Sequence, residues 1–237
     1  MKDLRIPLFS VLLLALLVTA SVDSFVEGGI EKLLEEKLPS VIGPAKSYRL
    51  KFADTSLLDL AGGRINKLTL EARDYSFPDA PLIEYFLVEM SGMRFDLEAI
   101  RAVQKTTFRM MVGEDALNDY LKKKNIIDPV PVLSIRRGEL GVSMRKEFLG
   151  IKIGAVLRGN LQVVGDNEVL FRPSGLEVAG IGIPKPIAQM LVDRVNPLLD
   201  LKKMNLPVKS ITIEEAEHRF IIKGEATLPL PVPLRKK

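Results

Sequence analysis

Residues 148–184, FLGIKIGAVLRGNLQVVGDNEVLFRPSGLEVAGIGIP, decide the fold expected for this chain. Two extended runs flank the turn Gly165-Asp166-Asn167. In the first run apolar side chains alternate with polar ones, which is the two-residue period of a strand with one buried face. The apolar set consists of Ile151, Ile153, Ala155, Leu157, Leu161 and Val163. The stretch therefore predicts one long β-hairpin with an apolar inner face.

The first strand of this hairpin is longer than usual. At about 3.3 Å per residue the run from Ile151 to Val163 spans about 43 Å, whereas a typical strand spans about 17–20 Å. A strand of this length has to curl in order to stay packed, and Gly154 and Gly159 permit a bend or a bulge within it. We therefore expect a long, curved antiparallel sheet that wraps around other elements.

Residues 1–20 have the pattern of a secretory signal peptide. Lys2 and Arg5 precede an apolar run over residues 6–20, and Val18-Thr19-Ala20 offers compact residues before a cleavage site. As a helix this run would be about 22 Å long, shorter than the hydrocarbon core of about 30 Å. We therefore expect export to the cell envelope or the extracellular space; an uncleaved membrane anchor is the alternative.

Residues 21–237 are expected to form a single domain, because no linker-like or low-complexity stretch interrupts them. The chain contains no cysteine, which excludes a disulfide framework and a thiolate metal site. Its formal net charge is +4, and the two signs are interleaved, so nucleic acid is not an expected partner. A mild positive excess favours anionic membranes, by about 1 kcal/mol per well-placed Lys or Arg.

Catalytic chemistry has few candidate residues in this chain. His218 is the sole histidine, and it follows Glu214, Glu215 and Glu217 where a hairpin turn is predicted. No second histidine and no cysteine could complete a metal shell around it. The sequence also lacks a GxSxG elbow, a phosphate-binding glycine loop and an HExxH helix. We therefore expect no enzymatic activity, no metal and no cofactor.

Three amphipathic helices are predicted around the hairpin. The first covers residues 22–39, the second follows Gly113, and the third begins at Pro184 and continues to Leu198 with Met190 in its apolar stripe. Strands are predicted over residues 48–52, 67–73, 82–95, 106–112, 133–136, 139–145, 208–214 and 219–228. The proline-rich tail after residue 228 is not expected to donate regular ladder bonds. The fold class is therefore α+β.

The tetrapeptide LLDL occurs twice, at residues 57–60 and 198–201, and each copy precedes a predicted strand. The first copy is predicted as a short turn and the second as the end of the third helix. This repetition indicates at most a duplicated helix-to-strand unit.

The three helices are too few to cover the apolar faces of eight or more strands. The surplus apolar surface can be covered by the sheet rolling on itself, by a partner protein or by an apolar ligand in the groove. The residue pattern alone leaves these three alternatives open.

Four segments carry a resemblance to a known family. They are GGRINKLTLEARD at 62–74, EDALNDYL at 114–121, VLFRPSGLEVAGIGIP at 169–184 and NPLLDL at 196–201, behind an exported N-terminus and an amphipathic first helix. This combination resembles the LmeA-like phospholipid-binding family of bacterial envelope proteins over nearly the whole mature chain. That family is similar to the tubular lipid-binding proteins, including bactericidal permeability-increasing protein. The resemblance implies a curved antiparallel sheet around a helix, with acyl chains between them.

The resemblance implies that phospholipid is the ligand and that the membrane surface is a partner. Acyl chains would lie along the apolar set of the long strand, under a lid formed by Phe25, Ile30, Leu33, Leu34, Ile187, Leu191 and Val195. No bond would be made or broken, so the protein would be a carrier or a sensor of lipid. An envelope scaffold that uses the same face as a protein interface is one alternative, and a lipid hydrolase that uses His218 is another.

Overall fold

In the computed structural model the described residues are 35, 36, 38, 39, 43–77, 80–96, 99–124, 132–136, 139–148, 151–165, 167–193, 196–201, 208–227, 230, 232 and 233. Residues 35, 36, 38 and 39 are helical, where the first amphipathic helix is predicted to end. The signal peptide predicted at residues 1–20 and the rest of that first helix lie outside the described residues.

The described elements are mostly strands. The strands are β1 (Ser47–Ala53), β2 (Arg64–Tyr75), β3 (Ile83–Phe95), β4 (Ala99–Ala102), β5 (Lys105–Gly113), β6 (Val132–Arg136), β7 (Glu139–Phe148), β8 (Ile151–Val164), β9 (Glu168–Val178), β10 (Ile181–Ile183), β11 (Leu199–Asp200), β12 (Val208–Ala216), β13 (Arg219–Ala226) and β14 (Val232–Pro233). The helices are α1 (Leu57–Ala61), α2 (Glu114–Lys124) and α3 (Lys185–Val192). The eight strands predicted outside and beside the hairpin are present with small shifts at their ends.

The strands form two antiparallel sheets. The larger sheet has the order β1-β2-β3-β5-β13-β12, with β4 beside β3 and β14 beside β4. The smaller sheet has the order β10-β9-β8-β7-β6, with β11 on β9. The predicted long hairpin is β8 and β9, and it forms the middle of the smaller sheet. The chain is therefore an α+β protein dominated by antiparallel sheet.

The core is one cluster to which both sheets contribute. In β2 the side chains of Leu68, Leu70 and Ala72 are buried, as their alternation with polar residues predicts. Side chains of the smaller sheet, such as Leu157 and Phe171, belong to the same cluster. Among the helices of the described residues, none is both long and apolar enough to cross a bilayer.

The third helix is shorter than predicted. It ends at Val192 after 8 residues, whereas the apolar stripe predicts a helix to Leu198. The peptide bond between Asn196 and Pro197 is cis, and a residue before proline is disfavoured in the helical region. The Asn196 side chain instead bonds the backbone of Phe171, with Phe171 N donating to Oδ1 at 2.9 Å and Nδ2 donating to Phe171 O at 3.0 Å. Residues 196–201 therefore run alongside β9 as an extended segment.

Two smaller predictions are wrong. Met190, predicted in the apolar stripe of the third helix, is 66% exposed. Residues 57–60 form a helical turn instead of a simple turn, because Ser56 caps the Asp59 N–H and Asp59 caps the Ser56 N–H. In the described part of the proline-rich tail, Val232 and Pro233 pair with Ile100 and Ala99 of β4 as a two-residue strand.

Candidate functional site

The smaller sheet presents a continuous apolar row on one face, which we call its inner face. Leu133, Val142, Leu157, Leu176 and Ile183 stand in register across β6, β7, β8, β9 and β10. The side chains of Leu133, Leu157 and Leu176 are buried, and those of Val142 and Ile183 are half-buried. Directly opposed side chains of paired strands lie on the same face, so this row lines the sheet from edge to edge.

Burial decreases from this row toward one end of the smaller sheet. The next row consists of Met144, Ala155, Val178 and Ile181, in register across β7 to β10. Met144, Ala155 and Val178 are half-buried, and Ile181 is 68% exposed. One position further along the same face of β8, Ile153 is 38% exposed. The inner face is therefore apolar in these two rows but open to solvent at this end, where Lys146 stands opposite Ile153.

We call this open end the free end of the smaller sheet. It is the end at which β7 turns into β8 and at which β9 turns into β10, and the Ala179 N–H donates to Gly154 O at 2.9 Å there. The opposite face of the same strands is polar. Arg158 forms a 2.9 Å ion pair with Glu177, and Arg172 donates to Gln162 at 3.0 Å.

In the part of the chain that the structure describes, the side-chain hydrogen bonds from α2 and β12 to the smaller sheet lie at the Leu157 row or beyond it, away from the free end. Asn118 of α2 exchanges two hydrogen bonds with the backbone of Leu133 in β6. Glu114, also of α2, accepts a hydrogen bond from Ile135 N at 2.9 Å. Glu215 of β12 accepts a hydrogen bond from the backbone of Leu161. These three side chains fasten the smaller sheet to the larger one.

Glu215 is an acidic group on an otherwise apolar strand face. It follows Ile211 and Ile213 at two-residue spacing on β12, and all three side chains are half-buried. Burial raises the pKa of the Glu215 carboxyl above its ordinary value, and the hydrogen bond from Leu161 offsets part of that shift. This hydrogen bond places the Glu215 carboxylate next to Leu161, which is one of the predicted lipid-binding residues.

The predicted binding residues of the long strand share one face. Leu157 is buried, Ala155, Leu161 and Val163 are half-buried, Ile153 is exposed, and Ile151 opens β8. Ile187 and Leu191 lie in α3, which packs against β9 and buries Ala188 and Val192. The positions predicted for the rest of the lid, Phe25, Ile30, Leu33, Leu34 and Val195, lie outside the described residues.

Sequence reasoning missed the contribution of the neighbouring strands to this face. Val142 in β7 and Leu176 in β9 flank Leu157 directly. The signal for β9 was present, since Val169, Phe171, Leu176 and Val178 are apolar. Pro173, Ser174 and Gly175 break the two-residue period, because the pairing register shifts where Gly159 faces Pro173. Only the pairing with β8 shows that the apolar side chains before this break and those after it lie on the same face of the sheet.

The sole histidine lies at the β12–β13 turn, as predicted. His218 is exposed, and its Nδ1 is 3.3 Å from Oε2 of Glu114, the same oxygen that accepts the Ile135 N–H. This pair belongs to the contact between the two sheets. In the described part of the chain, no cluster of three His, Asp or Glu side chains could hold a metal ion.

The fold and this face define a class: an antiparallel β protein whose smaller sheet carries an apolar, partly open inner face. The family model for LmeA-like phospholipid-binding proteins matches residues 22–218, so the chain belongs to this family. The matched range includes all four segments that carry the resemblance, which are residues 62–74, 114–121, 169–184 and 196–201. No curated protein and no solved structure matches the chain.

Proposed function

We propose that this protein binds phospholipid without chemical turnover, with acyl chains along the inner face of the smaller sheet. The observation that carries the proposal is the row from Leu133 to Ile183 together with the open row beside it, in which Ile181 is 68% exposed. An apolar face that is left open to water is unfavourable, and covering it stabilises the chain by about 25 cal/mol per Å². Membership of a phospholipid-binding family makes lipid the favoured cover.

The energetics favour exchange over permanent retention. An acyl chain gains about 0.8 kcal/mol per buried CH₂, so a 16-carbon chain gains roughly 12 kcal/mol. A bilayer offers the same chain a similar gain. The protein therefore passes lipid to and from membranes, as a carrier or as a sensor.

The remaining parts of the proposal concern shape and place. The smaller sheet curls around the helices as a tubular lipid-binding fold does; the 14 residues of β8 and its register shift at Gly159 support this. The N-terminal segment exports the chain to the cell envelope, where phospholipid is available. The formal net charge of +4 gives a weak, salt-sensitive attraction to anionic membranes.

The test is mass spectrometry of organic extracts from the chain purified without detergent. We expect phospholipid at a substantial fraction of one molecule per chain. Lipid-free extracts from a folded monomer would refute the proposal, and a stable lipid-free oligomer would favour the scaffold alternative.

A matched pair of variants tests whether the lipid lies on the inner face. Ala155 is half-buried between Met144 and Val178, whereas its neighbour Val156 points to the opposite face and is 36% exposed. We expect Ala155→Trp to keep a cooperative thermal transition and to lose most of the bound lipid, because the indole occupies the space of the acyl chain. Val156→Trp should keep both. An Ala155→Trp chain that is strongly destabilised, by about 1–3 kcal/mol, and still binds lipid would place Ala155 in the packed core instead.

A further inference from the structure

The free end of the smaller sheet combines exposed apolar side chains with a backbone that carries little bulk. Ile181 is 68% exposed and Ile153 is 38% exposed. A Cβ atom added at Gly154, Gly180 or Gly182 would meet nothing within 4 Å. An apolar surface could therefore approach the β9–β10 turn closely without displacing protein atoms.

The same end is basic. The described residues that form it, 144–148, 151–152 and 179–183, contain three basic residues and one acidic residue. Of the basic residues, Arg145 has an exposed side chain, and it pairs with Gly154 at this end. At the end at which the smaller sheet meets the larger one the two signs are mixed: Glu214 pairs with Lys223 at 2.6 Å, and Arg219 adjoins Glu217 and His218 at the β12–β13 turn. The free end therefore carries a positive excess at the open end of the apolar face.

We propose that the free end of the smaller sheet is the surface that docks on an anionic phospholipid bilayer, with the Ile181 side chain entering the headgroup region. This inference rests on the proposed function, because the inner face opens at this end. A lipid could then pass between the bilayer and the inner face without its acyl chains crossing water.

The chemistry of the free end fits a bilayer better than a second protein. A specific protein interface generally buries more than about 1,000 Å² with an apolar centre, whereas the described side chains of the free end include two large exposed apolar ones, Ile181 and Ile153, on a basic background. Interfacial membrane binding needs only a modest apolar area together with electrostatic attraction to anionic lipid. Each well-placed basic residue adds to that attraction.

The experiment compares two double variants of the full chain by co-sedimentation with vesicles of phosphatidylcholine containing phosphatidylglycerol. Ile181→Ser with Arg145→Glu changes the free end. Leu58→Ser with Lys123→Glu makes the same changes in polarity and charge at α1 and α2, where Leu58 is 84% exposed and Lys123 is exposed. We expect the first variant to lose about tenfold in vesicle affinity and the second to stay within about twofold of the parent. Equal losses in both variants would overturn the docking surface.

The absence of cysteine from the chain allows a second, site-specific readout. Ile181→Cys and Leu58→Cys each give one labelling site for an environment-sensitive fluorophore. We expect a blue shift on adding anionic vesicles at position 181 and none at position 58, with the shift diminished by high salt. A blue shift at position 181 that grows with protein concentration in the absence of vesicles would mean contact with a second copy, and would overturn the proposal.

Lipid extracted from the same preparations separates this inference from the proposed function. Loss of vesicle binding by Ile181→Ser with Arg145→Glu, with co-purified phospholipid retained, supports both proposals. Vesicle binding equal to the parent, with phospholipid retained, overturns the docking surface and leaves phospholipid binding in place. Loss of vesicle binding by this variant alone, when the parent carries no extractable phospholipid, supports the docking surface and removes the proposed function.

Discussion

At the scale of single residues, Glu215 shows how one polar group is accommodated beside an apolar face. Its side chain lies on the same side of β12 as Ile211 and Ile213, and it bonds the backbone N–H of Leu161 in the smaller sheet. The Leu161 N–H needs an acceptor at this position, because buried backbone donors are nearly always paired. The carboxylate provides that acceptor, but its negative charge is partly removed from water.

The ionised form of Glu215 should therefore oppose folding. Burial raises its pKa above the ordinary value of 4.5, so the folded chain binds this proton more tightly than the unfolded chain. The free energy of unfolding then decreases as the pH rises from below the ordinary pKa through the raised one, and the whole penalty is present near neutral pH. At acidic pH, where both states are protonated, the penalty disappears.

We predict that Glu215→Gln raises the Tm slightly near neutral pH, because glutamine keeps the acceptor oxygen and loses the charge. The gain should shrink to nothing as the pH falls through the ordinary value of 4.5. Thermal unfolding at a series of pH values measures it. The control is Glu217→Gln, which removes the same charge from an exposed side chain, and a similar pH-dependent gain there would contradict the explanation.

At the scale of the element, the central strand β8 contains two glycines, and only one of them lies where a side chain would collide with the neighbouring strand. The pairing of β8 with β9 shifts register between Arg158 and Gly159, because β9 has one extra residue there, Ser174; the bulge therefore lies on β9, opposite Gly159. A Cβ at Gly159 would collide with the carbonyl oxygen of Arg172 and lie 2.8 Å from Cζ of Phe171. At Gly154 the pairing with β7 is regular, and an added Cβ meets nothing within 4 Å. The two glycines therefore have different roles.

We predict that Gly159→Ala lowers the free energy of unfolding by about 1–3 kcal/mol, because the new methyl group forces the backbone of β9 to move. Gly154→Ala should be neutral or stabilising by up to about 1 kcal/mol, because alanine reduces the conformational freedom of the unfolded chain. Urea denaturation of both variants measures the difference. Similar destabilisation in both would show that β8 tolerates no side chain at either bend.

At the scale of the whole molecule, the two sheets are joined by side chains of α2 and β12. Asn118 is the most complete of these contacts, since its Nδ2 donates to Leu133 O at 2.9 Å and its Oδ1 accepts from Leu133 N at 2.7 Å. Leu133 lies on β6, at the end of the strand order of the smaller sheet, and its side chain is buried. The amide thus takes the place of a neighbouring strand at that residue.

We predict that Asn118→Ala lowers the free energy of unfolding by about 2 kcal/mol, because it leaves a backbone donor and a backbone acceptor of Leu133 without partners. Hydrogen exchange at the Leu133 amide should accelerate more than exchange in the larger sheet. Asp119→Ala serves as the control, since its exposed carboxylate makes only a 3.7 Å ion pair with Lys122. Unchanged exchange at Leu133 in the Asn118 variant would contradict this role.

Most of the larger sheet and the central hairpin could be predicted from the sequence, because the alternation of apolar and polar residues reports a strand locally. The same alternation placed Ile153, Ala155, Leu157, Leu161 and Val163 correctly on one face of β8. It could not show that Leu133, Val142, Leu176 and Ile183 complete that face, because register between strands depends on contacts distant in the chain. The exposed end of the face, at Ile181, also follows from register alone.

The tetrapeptide LLDL separates what the sequence determined from what tertiary structure decided. At residues 57–60 the preceding Ser56 supplies a local helix cap, and the segment is helical. At residues 198–201 the same tetrapeptide follows Pro197 and is extended beside β9. There Leu198 N donates to Val169 O, and the side chains of Leu199 and Leu201 are buried. The sequence by itself determined the strands, the apolar face of β8 and the family, because these depend on local periodicity and residue identity. Tertiary structure decided the end of α3 and the opening of the apolar face, because both depend on which distant backbone groups and side chains are available as partners.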